Sequence, residues 1–245
     1  MTLSFEVCRD ADDWATACAA SLRDALTEGL RDHQGQNGWA VLAGAGGSTP
    51  EPIYRRLVVM RSESDWMHTF VTLVDERHVP LDHPESNAAL LKRTLLTGNA
   101  KHAEFLPLHH EAVTVDRAAA VATLRLHAEL EGRRLDAVLL GMGEDGHICS
   151  MFPHSPTLKT LLSPTLKPAI LGVPAGRDGL APSRERLSMN LAWLMTARRV
   201  VLAITGTQKR AVFERDAAGD PKVTPIAALL AANVPLHVLW TEGPR

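Results

Sequence analysis

The sequence predicts an α/β protein in which a parallel sheet is covered by helices on both faces. Short apolar runs of strand length alternate along the chain with amphipathic stretches of helical length. Several runs are continuously apolar rather than alternating, as in strands that are buried on both faces. The 245 residues hold no internal repeat and no long linker, and this length alone leaves one or two domains open.

The order of these elements can be read along the chain. Five apolar runs are the stronger strand candidates: Trp39–Ala43, Phe70–Val74, Asp136–Leu140, Val200–Thr205 and Leu236–Trp240. Two weaker candidates are Glu104–Leu108 and Ala169–Leu171. The helical segments are predicted at Asp13–Leu30, Pro50–Arg61, Ser86–Leu96, Asp116–Glu131, Gln208–Arg215 and Pro225–Ala232. The Gly- and Pro-rich stretch Gly172–Glu185 predicts a surface loop, with a mobile lid as the alternative.

The composition and the N-terminal sequence indicate which partners and which cellular compartment to expect. The formal net charge of −2 argues against a generally basic protein that binds nucleic acid or a membrane surface. The three cysteines, Cys8, Cys18 and Cys149, form no C-x-x-C pair and predict no disulfide framework. The N-terminal residues lack a signal-peptide pattern, and no apolar run approaches the length of a membrane span. We therefore expect a cytoplasmic protein without nucleic-acid or membrane partners.

Ligands of parallel α/β sheets bind at the carboxyl ends of the strands, so functional residues are expected in the loops that follow the strands. The first strand is followed by Gly46, Gly47, Ser48 and Thr49, and Pro50 marks the start of a helix. Backbone and hydroxyl donors at a helix start can hold a phosphate. Ser48 and Glu51 also have capping-box spacing, so simple helix capping remains the alternative. The loop is not a P-loop, because no Lys follows the last Gly.

The second strand ends in three charged residues, Asp75, Glu76 and Arg77. One interpretation is a solvated loop start with an internal ion pair. The other is that Arg77 binds a carboxylate, a phosphate or a developing oxyanion.

The third loop combines glycines with an acid and a histidine. Gly141, Gly143 and Gly146 spell G-x-G-x-x-G, but no acidic residue lies about 20 positions further on, which argues against a dinucleotide site. His147 is suited to proton transfer near neutral pH, and Asp145 can fix its tautomer. The alternative is that His147 only hydrogen-bonds within the turn. Cys149 is interpreted as a small buried residue rather than a nucleophile.

The remaining candidates are few. Lys209 lies at a predicted helix start, where it would add a positive charge for a phosphate, although such a Lys is ordinarily solvated. His109 and His110 are adjacent, but no metal-binding motif surrounds them. We predict no structural or catalytic metal.

Taken in order, these loops resemble those of the 6-phosphogluconolactonase family, within the wider glucosamine-6-phosphate isomerase/deaminase-like group. The matching segments are GGSTP at 46–50, VDERHVP at 74–80 followed by SN at 86–87, LGMGEDGH at 140–147, SMFP at 150–153 and GTQK at 206–209. The resemblance implies a Rossmann-like three-layer sandwich with a mostly parallel sheet, and a single domain over residues 1–245. It also implies hydrolysis of 6-phospho-D-glucono-1,5-lactone to 6-phospho-D-gluconate without a cofactor, the second step of the oxidative pentose phosphate pathway.

The resemblance also implies site residues. His147 would be the general base, with Asp145 and Asp75 beside it as catalytic carboxylates whose separate roles stay open. The implied substrate-binding residues are Gly46, Gly47, Ser48, Thr49, Arg77, Arg186 and Lys209. The substrate would be a small sugar-phosphate lactone, bound by a monomer or a weak homo-oligomer.

Two alternatives use the same scaffold. A glucosamine-6-phosphate deaminase or isomerase normally carries an acidic residue shortly after its histidine, and residues 148–156 contain none. A non-catalytic sugar-phosphate sensor would be expected to lose the proton-transfer residue, whereas His147 is present.

Overall fold

The computed structural model describes residues 3–32, 38–112, 114–177 and 179–243. The first half of the chain contains β1 (Leu3–Val7), α1 (Ala11–Asp32), β2 (Ala40–Gly44), α2 (Glu51–Val59), α3 (Glu63–Met67), β3 (Thr69–Leu73), β4 (Asp75–Arg77), α4 (Asn87–Thr94), a 3-10 helix (Gly98–His102), β5 (Glu104–Phe105) and α5 (Val115–Leu130). The second half contains β6 (Ala137–Leu140), α6 (Leu158–Leu161), β7 (Ile170–Val173), β8 (Arg186–Met189), α7 (Leu191–Leu194), β9 (Arg199–Thr205), α8 (Thr207–Ala217), α9 (Pro225–Ala231) and β10 (Leu236–Thr241).

The main sheet has the strand order β1-β10-β9-β6-β2-β3-β5, and its strand pairs are parallel. Every residue of β2, β3 and β6 is buried, because helices cover both faces of the sheet. This arrangement confirms the predicted three-layer α/β fold. The five stronger strand predictions lie within one residue of the observed bounds at each end.

Three strands were not predicted. β1 is an exposed edge strand, so its side chains do not form the continuous apolar run of a buried strand. β4 and β8 are short and carry charged residues. In a second, three-stranded sheet, β8 is the central strand and pairs antiparallel with both β4 and β7. The weak prediction Ala169–Leu171 therefore belongs to this second sheet, as β7. The weak prediction Glu104–Leu108 shrinks to the two residues of β5.

The stretch predicted as a loop or lid, Gly172–Glu185, divides in the structure. Gly172 and Val173 end β7, and the described residues from 174 to 185 form an irregular connection to β8. Asp178 lies outside the described residues. The lid stays a hypothesis.

Candidate active site

Four loops meet at the carboxyl edge of the main sheet. β9, β6, β2 and β3 are neighbours in the sheet and run in the same direction, so the loops that follow them lie side by side. The histidine loop (residues 141–149) follows β6 and lies between the glycine loop (residues 45–50) after β2 and the start of α8 after β9. The topology therefore brings the loops that carry the predicted site residues to one edge.

The second sheet adds two arginines to this edge. β4 pairs with β8 so that Arg77 lies opposite Arg186, and Asp75 lies opposite Ser188. Because side chains alternate along a strand, these four residues share one face of the small sheet. Asp75 and Arg77 were predicted site residues on one loop, and Arg186 was implied only by resemblance. The pairing of β4 with β8 places all three together.

His147 and Asp145 form a close pair within the histidine loop. The Nδ1 of His147 lies 2.5 Å from Oδ1 of Asp145, and the backbone N–H of His147 donates to the same oxygen at 3.2 Å. Gly143 donates its N–H to the carbonyl of His147, and a Cβ at Gly143 would overlap both paired side chains. The imidazole also packs on Phe152, with ring centroids 4.2 Å apart.

The charge of Asp145 fits this pairing. Partial burial acts to raise the pKa of Asp145, but the hydrogen bonds and charge of His147 outweigh it and hold the pKa below its ordinary value. An ionised Asp145 accepts the Nδ1 proton of His147, which leaves Nε2 as the basic nitrogen of the neutral ring. The sequence alternative, that His147 hydrogen-bonds within the turn, describes the same contact and does not exclude proton transfer at Nε2.

Asp75 is buried and its two oxygens have different partners. Oδ2 accepts the hydroxyl proton of Ser150 at 2.6 Å and lies 3.8 Å from Nη1 of Arg186. Oδ1 accepts from the side-chain amide of Asn87 at 3.2 Å. Asp75 thus connects β4 to the segment after the histidine loop, to α4 and to β8. Of the two interpretations of this segment, the solvated loop start with an internal ion pair is wrong, because Asp75 is buried and its ion pair is with Arg186.

The two arginines differ in their surroundings. Nη1 of Arg77 donates to the carbonyl of Glu85 at 3.1 Å and to Oδ1 of Asn87. The guanidinium of Arg186 lies 5.6 Å from the ring centroid of Phe152, and burial lowers its pKa. Its Nε is buried without a hydrogen-bond partner in the part of the chain that the structure describes. Arg186 therefore has a donor available for an anionic or carbonyl oxygen.

Glu76 is the site residue whose role sequence reasoning missed. It is fully buried, and its carboxylate accepts the backbone N–H groups of Arg77 at 2.7 Å, Asn87 at 2.7 Å and Ala88 at 2.8 Å, and the hydroxyl of Ser86 at 3.0 Å. Burial raises its pKa, and these hydrogen bonds offset only part of the shift. Glu76 thereby caps α4 and holds Asn87 beside Arg77. Neither interpretation of the three charges, a solvated loop start or a ligand-binding Arg77, assigned this capping role to Glu76.

The glycine loop does not use Ser48 as a cap. α2 begins at Glu51 with Pro50 at the N-cap position and no side-chain capping bond, so the capping-box interpretation is wrong. Ser48 is exposed and Thr49 is half-buried. Gly46 lies so close to Asn87 that a Cβ would overlap Oδ1 of that side chain, and Gly47 has a positive φ of 86°. Both glycines are thus required by the loop's own geometry.

Lys209 and Cys149 complete the predicted set. Lys209 is half-buried in the first turn of α8, which follows Gly206. Cys149 is buried, and burial raises the pKa of its thiol well above the ordinary value. A thiolate nucleophile at Cys149 is therefore disfavoured, as the sequence interpretation expected.

The described residues contain no group of three or more His, Cys, Asp or Glu side chains placed to hold a metal ion. Within the same ranges, none of the helices is both long and apolar enough to cross a membrane.

The fold and site define an α/β enzyme with a carboxylate-paired histidine and two arginines at the carboxyl edge of its sheet. Residues 10–240 match the model of the glucosamine-6-phosphate isomerase/6-phosphogluconolactonase family, and the chain belongs to this family. It is 39% identical to a 6-phosphogluconolactonase of Mesorhizobium japonicum over 94% of this chain and 92% of that protein. It is 36% identical to a 6-phosphogluconolactonase of Caulobacter vibrioides over 98% of both chains.

Solved structures show the same similarity. The crystal structure of a 6-phosphogluconolactonase from Shewanella baltica superposes with a TM-score of 0.81 at 29% identity, covering 98% of this chain and 97% of that one.

Proposed function

We propose that this protein hydrolyses 6-phospho-D-glucono-1,5-lactone to 6-phospho-D-gluconate, the second step of the oxidative pentose phosphate pathway. The observation that carries the proposal is the His147–Asp145 pair at the edge of the sheet where four loops meet. The similarity to 6-phosphogluconolactonases along nearly the whole chain supports the same reaction.

The proton transfers follow from the tautomer that Asp145 favours. Nε2 of His147 takes a proton from water as the water oxygen attacks the lactone carbonyl carbon. The tetrahedral intermediate then collapses, the bond from that carbon to the ring oxygen breaks, and His147 returns the proton to the ring oxygen. The product is an open-chain acid. A lactone carbonyl is already electrophilic, so this route needs no covalent intermediate and no cofactor.

The arginines face the developing negative charge in this proposal. Arg186 has a buried Nε without a partner among the described residues, and Arg77 lies opposite it on the paired strand. Fixed cationic donors in a partly dehydrated site stabilise an oxyanion more than water does. We assign both arginines to the substrate, with Asp75 holding Arg186 in place.

The phosphate is assigned to the two helix starts that flank the histidine loop. The backbone of Gly46 and Gly47 and the hydroxyls of Ser48 and Thr49 precede α2, and Lys209 lies in the first turn of α8. Helix N-termini favour anions, and Lys209 adds a full positive charge. Phosphate binding orients the ring toward His147 rather than taking part in the chemistry.

We further propose that the protein acts in the cytoplasm on this small molecule, without a nucleic-acid or membrane partner, as a monomer or a weak homo-oligomer. The net charge of −2 and the absence of paired cysteine motifs support this assignment. Light scattering at several protein concentrations measures the oligomeric state.

The test is to generate the lactone in situ and to follow acid release with and without the purified protein. Because the lactone hydrolyses spontaneously, the matched control is His147→Ala at the same concentration. We expect a clear acceleration by the wild type, and a loss of about 10²-fold or more in the variant. Acceleration that survives in His147→Ala would move the base elsewhere. A folded wild type without acceleration would contradict the proposed reaction.

A further inference from the structure

The segment immediately after the histidine loop is tied to the second sheet through Ser150. Ser150 is fully buried, and its hydroxyl donates to Oδ2 of Asp75 at 2.6 Å. Its backbone N–H donates to Oγ of Ser188 at 3.2 Å, and that hydroxyl donates in turn to the carbonyl of Met189 at 3.0 Å. One residue therefore bonds to both β4 and β8.

The backbone between His147 and Ser150 needs such an anchor. Cys149 has a φ of +50°, a left-handed conformation that is unfavourable for a residue with a side chain. Such a conformation persists where surrounding contacts hold it. The nearest contacts after Cys149 are the two hydrogen bonds of Ser150 and the turn bond from the N–H of Met151 to the carbonyl of Ile148.

The consequence concerns the distance between the base and the arginines. His147 belongs to a loop of the main sheet, whereas Arg77 and Arg186 belong to the second sheet. Asp75 contacts both sides, because the oxygen that accepts the Ser150 hydroxyl also lies 3.8 Å from Arg186. The hydroxyl of Ser150 thus joins the two halves of the site at one carboxylate oxygen.

We propose that Ser150 is a positioning residue that acts through Asp75 to fix His147 relative to the two arginines. The role of Asp75 is then separate from that of Asp145, because Asp145 orients the imidazole and Asp75 sets where the loop lies. The expected change in kcat rests on the proposed function, whereas the expected change in the position of His147 does not depend on it.

The experiment compares Ser150→Ala, Asp75→Asn and the double variant with the wild type. The matched control is Ser21→Ala, which removes another buried serine hydroxyl, one that lies 3.0 Å from Nδ1 of His237 on β10. We expect Ser150→Ala to lower kcat by on the order of tenfold while KM changes little, because ring placement changes and the phosphate donors stay. Asp75→Asn should lose more than Ser150→Ala, because it also alters the contacts of Asp75 with Arg186 and Asn87. The double variant should lose little more than Asp75→Asn alone, since Ser150 acts through that same carboxylate.

A second measurement needs no substrate. The Hε1 NMR resonance of His147, assigned by its loss in His147→Gln, should shift in Ser150→Ala and stay unchanged in Ser21→Ala. If Ser150→Ala does not fold, Ser150→Gly also removes the hydroxyl and replaces it in both measurements.

The outcomes separate the two proposals. A Ser150 variant with wild-type kcat and an unmoved His147 resonance overturns the positioning role. If the fold-loss in kcat of the double variant equals the product of the two single losses, Ser150 does not act through Asp75. If the wild type shows no lactonase activity, the proposed function fails, and the His147 resonance alone then decides for or against the positioning of the loop.

Discussion

The buried carboxylate of Glu76 makes the sharpest prediction about stability. It accepts three backbone N–H groups and one hydroxyl in a place without solvent exposure. Glu76→Ala removes the acceptor from all four donors and exposes the start of α4. We expect this variant to be strongly destabilised, and to weaken the placement of Asn87 and Arg77 in the candidate site.

The magnitude follows from the number of donors. A buried donor that loses its acceptor costs about 1–3 kcal/mol, so three backbone donors cost about 3–9 kcal/mol. Water that enters the vacated space can accept hydrogen bonds from some of these donors, so we expect a loss of stability in the lower half of that range. In Glu76→Gln the amide oxygen keeps two of the donors and its NH₂ faces the N–H of Ala88, which predicts a loss of about 1–3 kcal/mol.

Urea unfolding followed by circular dichroism measures both changes as a lower midpoint. The control is Glu214→Gln, which breaks an exposed pair with Arg210 and should cost less than about 0.5 kcal/mol. Because burial raises the folded-state pKa of Glu76, the stability of the wild type relative to Glu76→Gln should decrease as pH rises from about 4.3 through the folded pKa. A Glu76→Ala protein as stable as the control would refute the reasoning.

Three further predictions concern the histidine loop. Gly143→Ala should lower kcat by about 10²-fold, because a Cβ there overlaps the paired side chains of His147 and Asp145. Steady-state kinetics measure the loss, and a wild-type kcat in this variant would contradict the predicted overlap. Iodoacetamide should leave the native enzyme active, since Cys149 is buried with a raised thiol pKa, and inactivation that tracks labelling of Cys149 would contradict this. Because the pKa of Asp145 is lowered in the folded state, the wild type should be more stable than Asp145→Asn above about pH 4. This difference in stability should disappear as the pH falls through the folded-state pKa of Asp145, and thermal melts at several pH values measure it.

The parts of the fold that could be predicted are those with a local signal. β2, β3, β6, β9 and β10 are buried by helices and neighbouring strands, so their sequences are mainly apolar and easily recognised. β4 and β8 lack such a signal because their pairing joins segments far apart in the chain, and charged residues on one face belong to the site. That residues 1–245 form one domain stays a prediction.

The candidate site divides in the same way. Asp145 and His147 are two positions apart, so their contact could be predicted from spacing alone. The bonds of Asp75 to Ser150 and of Glu76 to α4 depend on how distant segments pack, and no spacing encodes them. Ser48 shows the opposite error, because a local capping pattern was present and Pro50 took the N-cap position instead.

The two facing arginines of the second sheet affect how strongly a bound anion stabilises the fold. Arg77 and Arg186 lie directly opposite each other on antiparallel strands, an arrangement in which like charges repel. Asp75 balances part of this charge, since it favours the protonated form of Arg186 while Arg77 opposes it. An anion bound between the arginines would remove the remaining repulsion. The melting temperature should therefore rise with inorganic phosphate or product, and the gain should shrink as ionic strength screens the same charges.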